Sequence, residues 1–379
     1  MIFIPTYQEA INRKNKFLNY GLSEYSKLRN YDYGPEKREN VSGLSPYITH
    51  GLIDIVGLAQ ECIDLFGEKR AEKYIAELFW GIYWKGYLEL RPSIWTCFKN
   101  DLENLRDYQN EELYLKAING ETNISCFNDW VKELREYNYL HNHTRMWFAS
   151  IWIFTLKLPW QLGAAFFMKH LYDGDAAANT LGWRWVAGIQ TQGKNYLASE
   201  WNIKKFTNNR FGNIKLNENA PPKTTNKVYS ALKLEFNNPQ SLEEKDLIIF
   251  ENNLSFETSE FNNKNFKKIF LVTNKNENRT IKLSEKVIKF KSELIEDQKK
   301  RLEKKSINCE IIDLSELQNL KEKLYCLYPT VGENLDYINI NKFKIDFLYR
   351  KLDQFAWKYC NKGFFNFKNY IPKIITTFN

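Results

Sequence analysis

The sequence predicts a mainly α protein in which an all-helical domain is followed by a smaller α/β domain. Between about residues 51 and 206, apolar residues recur every three or four positions, which is the period of an amphipathic helix. Short β-type runs occur only later in the chain, and a charged helical stretch separates two of them. The length of 379 residues also favours two domains, because single hydrophobic cores stop growing well below it.

The helical signal is clear in AEKYIAELFWGIYWKGYLEL, where the apolar residues predict one continuous stripe against a core: Tyr74, Ile75, Leu78, Phe79, Ile82 and Tyr83. The longest apolar run is MWFASIWIFTLKLPW, at residues 146–160. It is shorter than the ~20 residues that span a membrane, and it contains Lys157 and Pro159. We therefore predict a buried helix here and expect no contact with a membrane.

The segment TNNRFGNIKLNENAPPKTTNKV is polar, contains a Pro pair and lacks periodicity. This pattern predicts an interdomain linker. We divide the chain accordingly into a helical domain at residues 1–212, a linker at 213–228 and an α/β domain at 229–379.

The α/β domain is predicted from three β-type runs and the charged helical stretch at residues 284–306. Strands that alternate with helices favour a parallel sheet of the Rossmann-like kind. The three runs are DLIIF (246–250), KKIFLV (267–272) and CEIIDL (309–314).

No glycine lies between Gly212 and Gly332, so the domain lacks the Gly-rich loop that lets a backbone approach a pyrophosphate. We do not expect it to bind a dinucleotide in the usual Rossmann manner. The aromatic and basic stretch at residues 343–370 predicts a helix that packs back onto one of the two domains.

The net charge of +8 permits a polyanionic partner without requiring one. The six cysteines form no CxxC pair and have no neighbouring histidine, so we expect reduced thiols and no metal site. The N-terminus lacks the pattern of a secretory signal, and we expect a cytoplasmic protein.

Three segments combine polar residues with an apolar setting. In NVSGLSPYITHG, small residues precede a predicted helix start, which is either an ordinary helix cap or a phosphate site. In YLHNHTRM, two histidines and Arg145 lie just before the apolar run, and Arg145 is placed to neutralise Asp173 or Asp175.

The third segment is LYDGDAAANTLGWRWVAGIQ, in which Asp175, Asn179 and Trp183 follow at intervals of four and share one helix face. This face is either a buried polar network or a binding surface for a heterocycle with imide groups. Residues 137–215 carry nine Lys or Arg and three acids, which favours a phosphate-rich partner. Upstream, Glu77 is either a rim residue or a functional acid.

Four motifs in this order resemble the flavin-binding domain of the photolyase and cryptochrome superfamily. They are SGLSPY, ELFW, LHNHTRM and DGDAAANTLGWRW, and the resemblance covers roughly residues 30–205. It implies an FAD cofactor, whose pyrophosphate would be held by Ser42, Gly43, Leu44 and Ser45 with Tyr31.

The resemblance also implies roles for residues around the flavin ring. Asp173 and Asp175 would contact the folded flavin, Arg145 would pair with Asp173, and Asn179 would face flavin N5. Trp183 and Trp160 would begin an electron-transfer chain. Its third, surface-exposed member is not identified, and Tyr108 and Trp95 are the candidates.

A lesion pocket is implied beside the flavin, in which Glu77 would bind a flipped thymine. The other residues that fall in this pocket are Trp80, Asn142, His143, Met146 and Trp185. The sequence departs from the family at Gly81 and His143, where repair enzymes often have Arg.

The order of the domains departs further, because the α/β domain follows the flavin domain. This order resembles that of short bacterial photolyase-like proteins, in which the second domain covers the flavin site. The resemblance implies a monomeric, light-driven deoxyribodipyrimidine photolyase, an enzyme that repairs cyclobutane dimers in UV-damaged DNA, in this subgroup single-stranded. A cryptochrome-like photoreceptor, (6-4) photoproduct repair and a DNA-binding protein without flavin are the alternatives.

Overall fold

The computed structural model describes residues 2–239, 245–264, 266–320 and 324–379, and it confirms the predicted fold class. Helices occupy the first half of the chain. They are α1 (Tyr7–Lys16), α2 (Leu22–Leu28), α3 (Ser45–Thr49), α4 (Ile55–Phe66), α5 (Glu68–Glu89), α6 (Ser93–Asn104), α7 (Glu112–Asn119), α8 (Ser125–Tyr137), α9 (Asn142–Ser150), α10 (Trp160–His170), α11 (Ala176–Ala187) and α12 (Glu200–Phe206).

Helix α5 is the central element of this half. All six residues of its predicted apolar stripe are buried, and the helix packs against α2, α4 and α11. Glu77 lies near the middle of this 22-residue helix and Glu89 is its last residue.

The apolar run at 146–160 is buried as predicted, but it does not form one helix. Helix α9 continues into a π-helical turn at Ile151–Thr155, and Lys157 then adopts a left-handed backbone with φ of 57°. Pro159 has no N–H and disfavours helix at the residue before it, so the chain turns and α10 starts at Trp160.

The second half contains a five-stranded parallel sheet in the order β3-β2-β1-β4-β5. Leu247 of the central strand lies opposite Ile269 on one side and Tyr325 on the other. The strands are β1 (Leu247–Phe250), β2 (Ile269–Thr273), β3 (Cys309–Asp313), β4 (Leu324–Leu327) and β5 (Ile345–Leu348), and the helices between them are α13 (Glu285–Lys304) and α14 (Glu333–Asn341).

The three predicted strands and the helix α13 are therefore confirmed, whereas β4 and β5 were not predicted. The single C-terminal helix predicted at 343–370 is wrong. That region contains β5 and then short helices, which are α15 (Lys351–Ala356), α16 (Phe364–Lys368) and α17 (Ile371–Phe378). Gly363 precedes α16 and Pro372 lies in the first turn of α17, where each interrupts a continuous helix.

The C-terminal helices return to the first half and pack on α4 and α5. Tyr83 Oη donates to the carbonyl of Lys362 at 2.9 Å, and Lys368 pairs with Glu72 at 2.6 Å. Helix α13 also contacts the helical half, because the N–H of Ser284 donates to the carbonyl of Lys169 at 2.8 Å.

The division at residues 213–228 stays a prediction. In the described part of the chain, no helix has the length and apolar character that crossing a bilayer requires.

Candidate functional site

Asp173 joins three of the sequence motifs at one buried carboxylate. Its Oδ2 accepts hydrogen bonds from Ser45 Oγ and, at 2.8 Å, from Arg145 Nη2. Its other oxygen, Oδ1, is also buried and has no hydrogen-bond partner among the described residues. Arg145 is fixed in turn by a hydrogen bond from Nε to the carbonyl of Leu140 at 2.9 Å. The ion pair between Arg145 and Asp173 that the resemblance implies is thus present, and one acceptor atom remains free.

Asp175 caps the helix that follows. It has extended backbone angles, and its Oδ1 accepts the N–H of Ala178 at 2.8 Å. Its Oδ2 lies 3.9 Å from Lys85 Nζ on α5. Gly332, which precedes α14, approaches so closely that a Cβ there would lie 3.3 Å from the Cβ of Ala176. The α/β half therefore contacts the first turn of α11.

Asn179 and Trp183 follow on α11. Asn179 Nδ2 donates to the carbonyl of Ala164 on α10 at 2.8 Å, which fixes the orientation of the amide. Trp183 is buried, and its ring contacts Phe167 at 5.0 Å and Trp152 at 6.2 Å. Gly163 makes this packing possible, since a Cβ there would lie 2.3 Å from the Trp183 ring.

Trp152 is a residue that the sequence analysis missed, and its ring lies next to that of Trp183. Its Nε1 donates to the carbonyl of Pro159, directly before Trp160, at 2.9 Å. Trp160 itself stacks on Phe98 with ring centroids 5.5 Å apart, and no ring contact joins it to Trp183 among the described residues. Trp152 thus contacts the Trp183 ring and is hydrogen-bonded to the residue before Trp160.

The structure distinguishes the two candidates for the third aromatic. Trp95 is 1% exposed and donates to Asp336 at 2.7 Å, so it cannot be a surface member. Tyr108 is half-buried and lines the same cleft as Trp160. The suggestion of Trp95 is therefore wrong, and Tyr108 remains the candidate.

A buried ion network holds the start of α9 in place. Asp32 accepts hydrogen bonds from Thr144 Oγ1 at 2.6 Å and from Arg38 at 3.2 Å, and Arg38 also contacts Glu133. Burial alone would raise the pKa of Asp32, but Arg38 and other neighbours hold it well below its usual range. Burial lowers the pKa of His141 to about 3, so this imidazole is neutral at physiological pH and serves as the helix cap.

Glu77 is paired with Arg29, a second residue that the sequence analysis missed. Arg29 Nη1 lies 2.7 Å from Glu77 Oε1, and both side chains are about one-third exposed. Burial raises the pKa of Glu77, and Arg29 opposes that effect. Gly81, one turn away, has open space around it, since a Cβ there would meet nothing within 4 Å. Arg29 thus supplies a cation near a position where the family pattern often has one.

His143, Tyr196 and Trp185 form a series of contacts beside this pair. His143 Nδ1 lies 2.9 Å from the carbonyl of Asn30, and its Nε2 lies 3.3 Å from Tyr196 Oη. The Tyr196 ring stacks on Trp185 with centroids 6.0 Å apart. Asn30 is next to Arg29 in the chain. These contacts therefore connect Glu77, His143 and Trp185 in one region.

Asn142 and Met146 lie one helical turn apart on α9, so they share one face. Asn142 is exposed and Met146 is half-buried.

The ring of Trp80 is not open to a ligand, as a residue of a lesion pocket would be. Phe364 of the C-terminal helix α16 stacks on its ring with centroids 3.6 Å apart and an interplanar angle of 10°. Trp84 packs against it at 4.9 Å. A ring face to which the resemblance assigns a lesion contact is therefore covered by the chain itself.

The SGLSPY segment forms a turn in which glycine adopts a left-handed backbone conformation. Gly43 adopts φ of 61°, a left-handed conformation that favours glycine, and the N–H of Leu44 donates to Ser42 Oγ at 3.4 Å. Leu44 is fully buried. Tyr31 lies against Tyr33 and Phe206, with its carbonyl held by Asn40 Nδ2 at 2.8 Å.

A buried charged cluster from the α/β half adjoins this region. Lys291 on α13 lies 3.3 Å from Glu251 and 3.3 Å from His50 Nε2, and Arg279 pairs with Glu251 at 2.7 Å. Burial and the neighbouring Lys291 lower the pKa of His50 to about 3, so His50 is neutral. The cluster ties α13 to the segment that follows SGLSPY.

Comparison with known proteins agrees with this geometry. Residues 74–210 match the family model described as the FAD binding domain of DNA photolyase. These residues form a photolyase-family FAD-binding domain. The domain thereby falls in the photolyase/cryptochrome superfamily that the motifs indicate.

Among curated relatives, the chain is similar to proteins named deoxyribodipyrimidine photo-lyase. The one from Vibrio cholerae is 27% identical over 190 residues, which are 46% of this chain and 39% of that protein. The one from Streptomyces griseus is 30% identical over 151 residues, 40% of this chain and 32% of that protein. The one from Escherichia coli is 27% identical over 200 residues, 49% of this chain and 40% of that protein. The chain thus spans about two-fifths or less of these relatives.

Among solved structures, the chain is similar to a bacterial class III photolyase from Agrobacterium tumefaciens. The TM-score is 0.46 and the identity 22%, and the match covers 54% of this chain and 43% of that one.

FAD is the cofactor of the matched domain. Two features of the site around Asp173 and Gly43 fit this cofactor. The free Oδ1 of Asp173 is a buried acceptor that needs a donor, and a flavin ring or ribose carries such donors. The left-handed Gly43 lies in a turn of the kind whose backbone N–H groups bind phosphates.

Proposed function

We propose that this protein is a light-dependent deoxyribodipyrimidine photolyase that splits cyclobutane pyrimidine dimers, with a preference for single-stranded DNA. The observation that carries the proposal is the convergence of Ser45, Arg145 and the half-satisfied Asp173 on one buried point. Relatives named deoxyribodipyrimidine photo-lyase support the reaction class.

FAD, when bound in reduced form, supplies the absorption of blue light and the electron that splits the dimer. Asp173 and Asp175 would hold the folded cofactor, with Ser42, Gly43, Leu44, Ser45 and Tyr31 at its pyrophosphate. Arg145 pairs with Asp173, which offsets the cost of burying that carboxylate. Asn179 is held by α10 with its amide oxygen free to face the ring.

Light-driven reduction of the cofactor would use the tryptophans of α10 and α11. Trp183 is buried next to Trp152, and Trp152 bonds to the residue before Trp160. We propose the order Trp183, Trp152, Trp160, with Tyr108 at the surface.

The dimer would lie where Glu77, His143 and Trp185 are connected, with Asn142 and Met146 on the adjacent face of α9. Glu77 accepts a hydrogen bond from a thymine imide once it turns from Arg29. Arg29 then faces the phosphate beside the extruded base. Lesions in single strands avoid the cost of unpairing, and a site with few arginines suits them.

The α/β half would cover the cofactor site. Gly332 contacts the first turn of α11, and Lys291 reaches His50 behind SGLSPY. We further propose a monomeric, cytoplasmic protein divided at residues 213–228, with UV-damaged DNA as its partner.

The test is illumination of the reduced, FAD-loaded protein with matched single- and double-stranded oligonucleotides that contain one cyclobutane dimer. We expect light-dependent restoration of pyrimidine absorbance, faster on the single strand. Glu77→Gln should bind FAD normally and lose most of the activity, and Glu24→Gln, an exposed acid on α2, is the matched control. No restoration of either oligonucleotide, with FAD bound and photoreduced, would reject the proposal.

A cryptochrome-like photoreceptor is the second candidate, and the stacking of Phe364 on Trp80 favours it. A receptor has no need for an open lesion pocket. In that case illumination reduces the flavin but restores no dimer. Repair of (6-4) photoproducts is checked by the same assay with that lesion.

A further inference from the structure

A cleft of about 410 Å³ lies on the helical half, beside Trp160 and apart from the residues assigned to FAD and DNA. It is formed by the start of α10, the last turn of α11, α6 and the extended segment at residues 223–229. Its size is in the range of small-molecule sites, roughly 300–1,000 Å³.

The cationic group at the base of this cleft is Arg184. It is only 6% exposed, and no ion pair joins it to a carboxylate among the described residues. Its Nε donates to Gln190 Oε1 at 3.3 Å, and its guanidinium lies 5.2 Å from the centroid of the Tyr229 ring. Burial lowers the pKa of this guanidinium, and Tyr229, Tyr87 and Asp101 oppose that effect. A buried cation with no acid in ion-pair contact is costly, and an anion in the cleft would offset that cost.

Other groups in the cleft add positive potential. Lys157 and Lys223 line it, and neither has an ion-pair partner in the described part of the chain. Lys227 is paired with Asp101 at 2.9 Å, so the one acid that lines the cleft is already neutralised. Helix α10 starts at Trp160 with no side-chain cap among the described residues, and Trp160 and Gln161 of its first turn line the cleft, where the positive end of the helix favours an anion.

The walls of the cleft are aromatic and apolar. Trp160, Tyr108 and Tyr229 line it together with Ile153 and Ile189. A flat ring fits between such walls, while the cations at the base select a negative group.

We propose that this cleft binds a small organic phosphate that carries a flat ring, of the class of the nucleoside monophosphates. The phosphate meets Arg184, Lys223 and the start of α10, and the ring lies against Trp160 and Tyr229. The enclosure of Arg184 favours a small ligand over a DNA backbone, which needs exposed cations.

Calorimetric titration of the full chain, saturated with FAD, with AMP, inorganic phosphate and adenosine tests this site. We expect AMP to bind more tightly than either part alone. Arg184→Gln should weaken AMP binding by about tenfold or more, as expected for loss of a charged hydrogen bond. Lys223→Gln, on an exposed side chain that folding does not require, should weaken it severalfold, and Lys289→Gln on α13 should leave it unchanged.

Tyr229→Ala separates the two halves of the ligand, because it should weaken AMP binding and leave phosphate binding unchanged. Absence of AMP binding, or equal binding by the wild type and both cation variants, overturns the proposal. So does a result in which AMP fails to bind while a single-stranded oligonucleotide loses affinity in Lys223→Gln, because the cleft would then be a DNA contact. None of these outcomes depends on repair activity.

Discussion

Arg29 and Glu77 form an ion pair with 2.7 Å between Nη1 and Oε1, although they are separated by 48 positions in the chain. The guanidinium opposes the effect of burial on the pKa of Glu77. It therefore favours the ionised carboxylate, which is the form that accepts a hydrogen bond from an imide.

Arg29→Gln should raise the pKa of Glu77, since the opposing charge is lost while burial remains. On acidification, the variant should lose its affinity for the dimer-containing oligonucleotide at a higher pH than the wild type does. We expect the midpoint of this loss to lie about one pH unit higher. Affinity against pH, measured by fluorescence anisotropy, checks this. Lys27→Gln, an exposed cation on the same helix, should leave the midpoint in place, and an unshifted midpoint in Arg29→Gln would remove Arg29 from the site.

Phe364→Ala should uncover the ring of Trp80. If Phe364 occupies the place of a base, the variant should bind dimer-containing single strands more tightly, by about fivefold or more, because stacking on aromatic rings is worth ~1–3 kcal/mol per base. The same variant should unfold at a lower temperature, since Phe364 is buried. Phe365→Ala is the matched control, because Phe365 is 79% exposed. Weaker DNA binding in Phe364→Ala alone would show that the stack is structural.

Gly163→Ala should disturb the tryptophan series. The new Cβ would lie 2.3 Å from the Trp183 ring, and overpacking of this kind costs about 1–3 kcal/mol. Photoreduction of the flavin should slow in the variant because Trp183 must move. Gly182→Ala on the neighbouring helix meets nothing within 4 Å and should be neutral or slightly stabilising. Equal photoreduction rates in the two variants would contradict the assigned series.

Glu89 makes the contact between the two halves sensitive to pH. Its carboxylate accepts the N–H of Val331 at 2.7 Å and the hydroxyl of Tyr328 at 2.8 Å. Burial raises its pKa from 4.5 to about 7, with Asp353 acting in the same direction and Lys85 against it. A carboxyl whose pKa is higher in the folded state binds its proton more tightly there, so stability falls as the pH rises from about 4.5 to about 7.

Glu89→Gln keeps the acceptor for Val331 and removes the charge. The free energy of unfolding of the variant, from denaturant titration, should lose much of its decline between pH 5 and 7, on the order of 2–3 kcal/mol. Glu333→Gln is the comparison variant, because Glu333 is a half-buried acid whose pKa burial also raises. An unchanged slope in Glu89→Gln would show that its pKa is near the ordinary value.

Some of this could be predicted from the sequence because it depends on local order. The stripe on α5 follows from the period of one helix, and the motif around Asp173 and Arg145 is readable within short segments. Strands β1 to β3 were predicted because each is a run of apolar, β-branched residues. Strand β4 contains no β-branched residue, and β5 contains Asp346 among its four residues.

The contacts that were missed join distant segments. Nothing in the spacing of α2 relates Arg29 to Glu77, and Phe364 lies near the other end of the chain from Trp80. Trp152 was hidden inside an apolar run that predicts only burial. Tertiary packing decides such pairs, and the π-helical turn after α9 decides where the Trp152 ring points.

The central claim is that the buried, half-satisfied Asp173 meets an FAD molecule in the helical half. The most direct measurement is the amount of FAD bound per chain, from the absorbance of the purified protein after incubation with FAD and removal of the excess. We predict close to one FAD per wild-type chain, a large loss in Asp173→Asn and no loss in Asp64→Asn, an exposed acid on α4. A wild-type chain that stays colourless, or an Asp173→Asn variant that retains the full amount, would contradict the account.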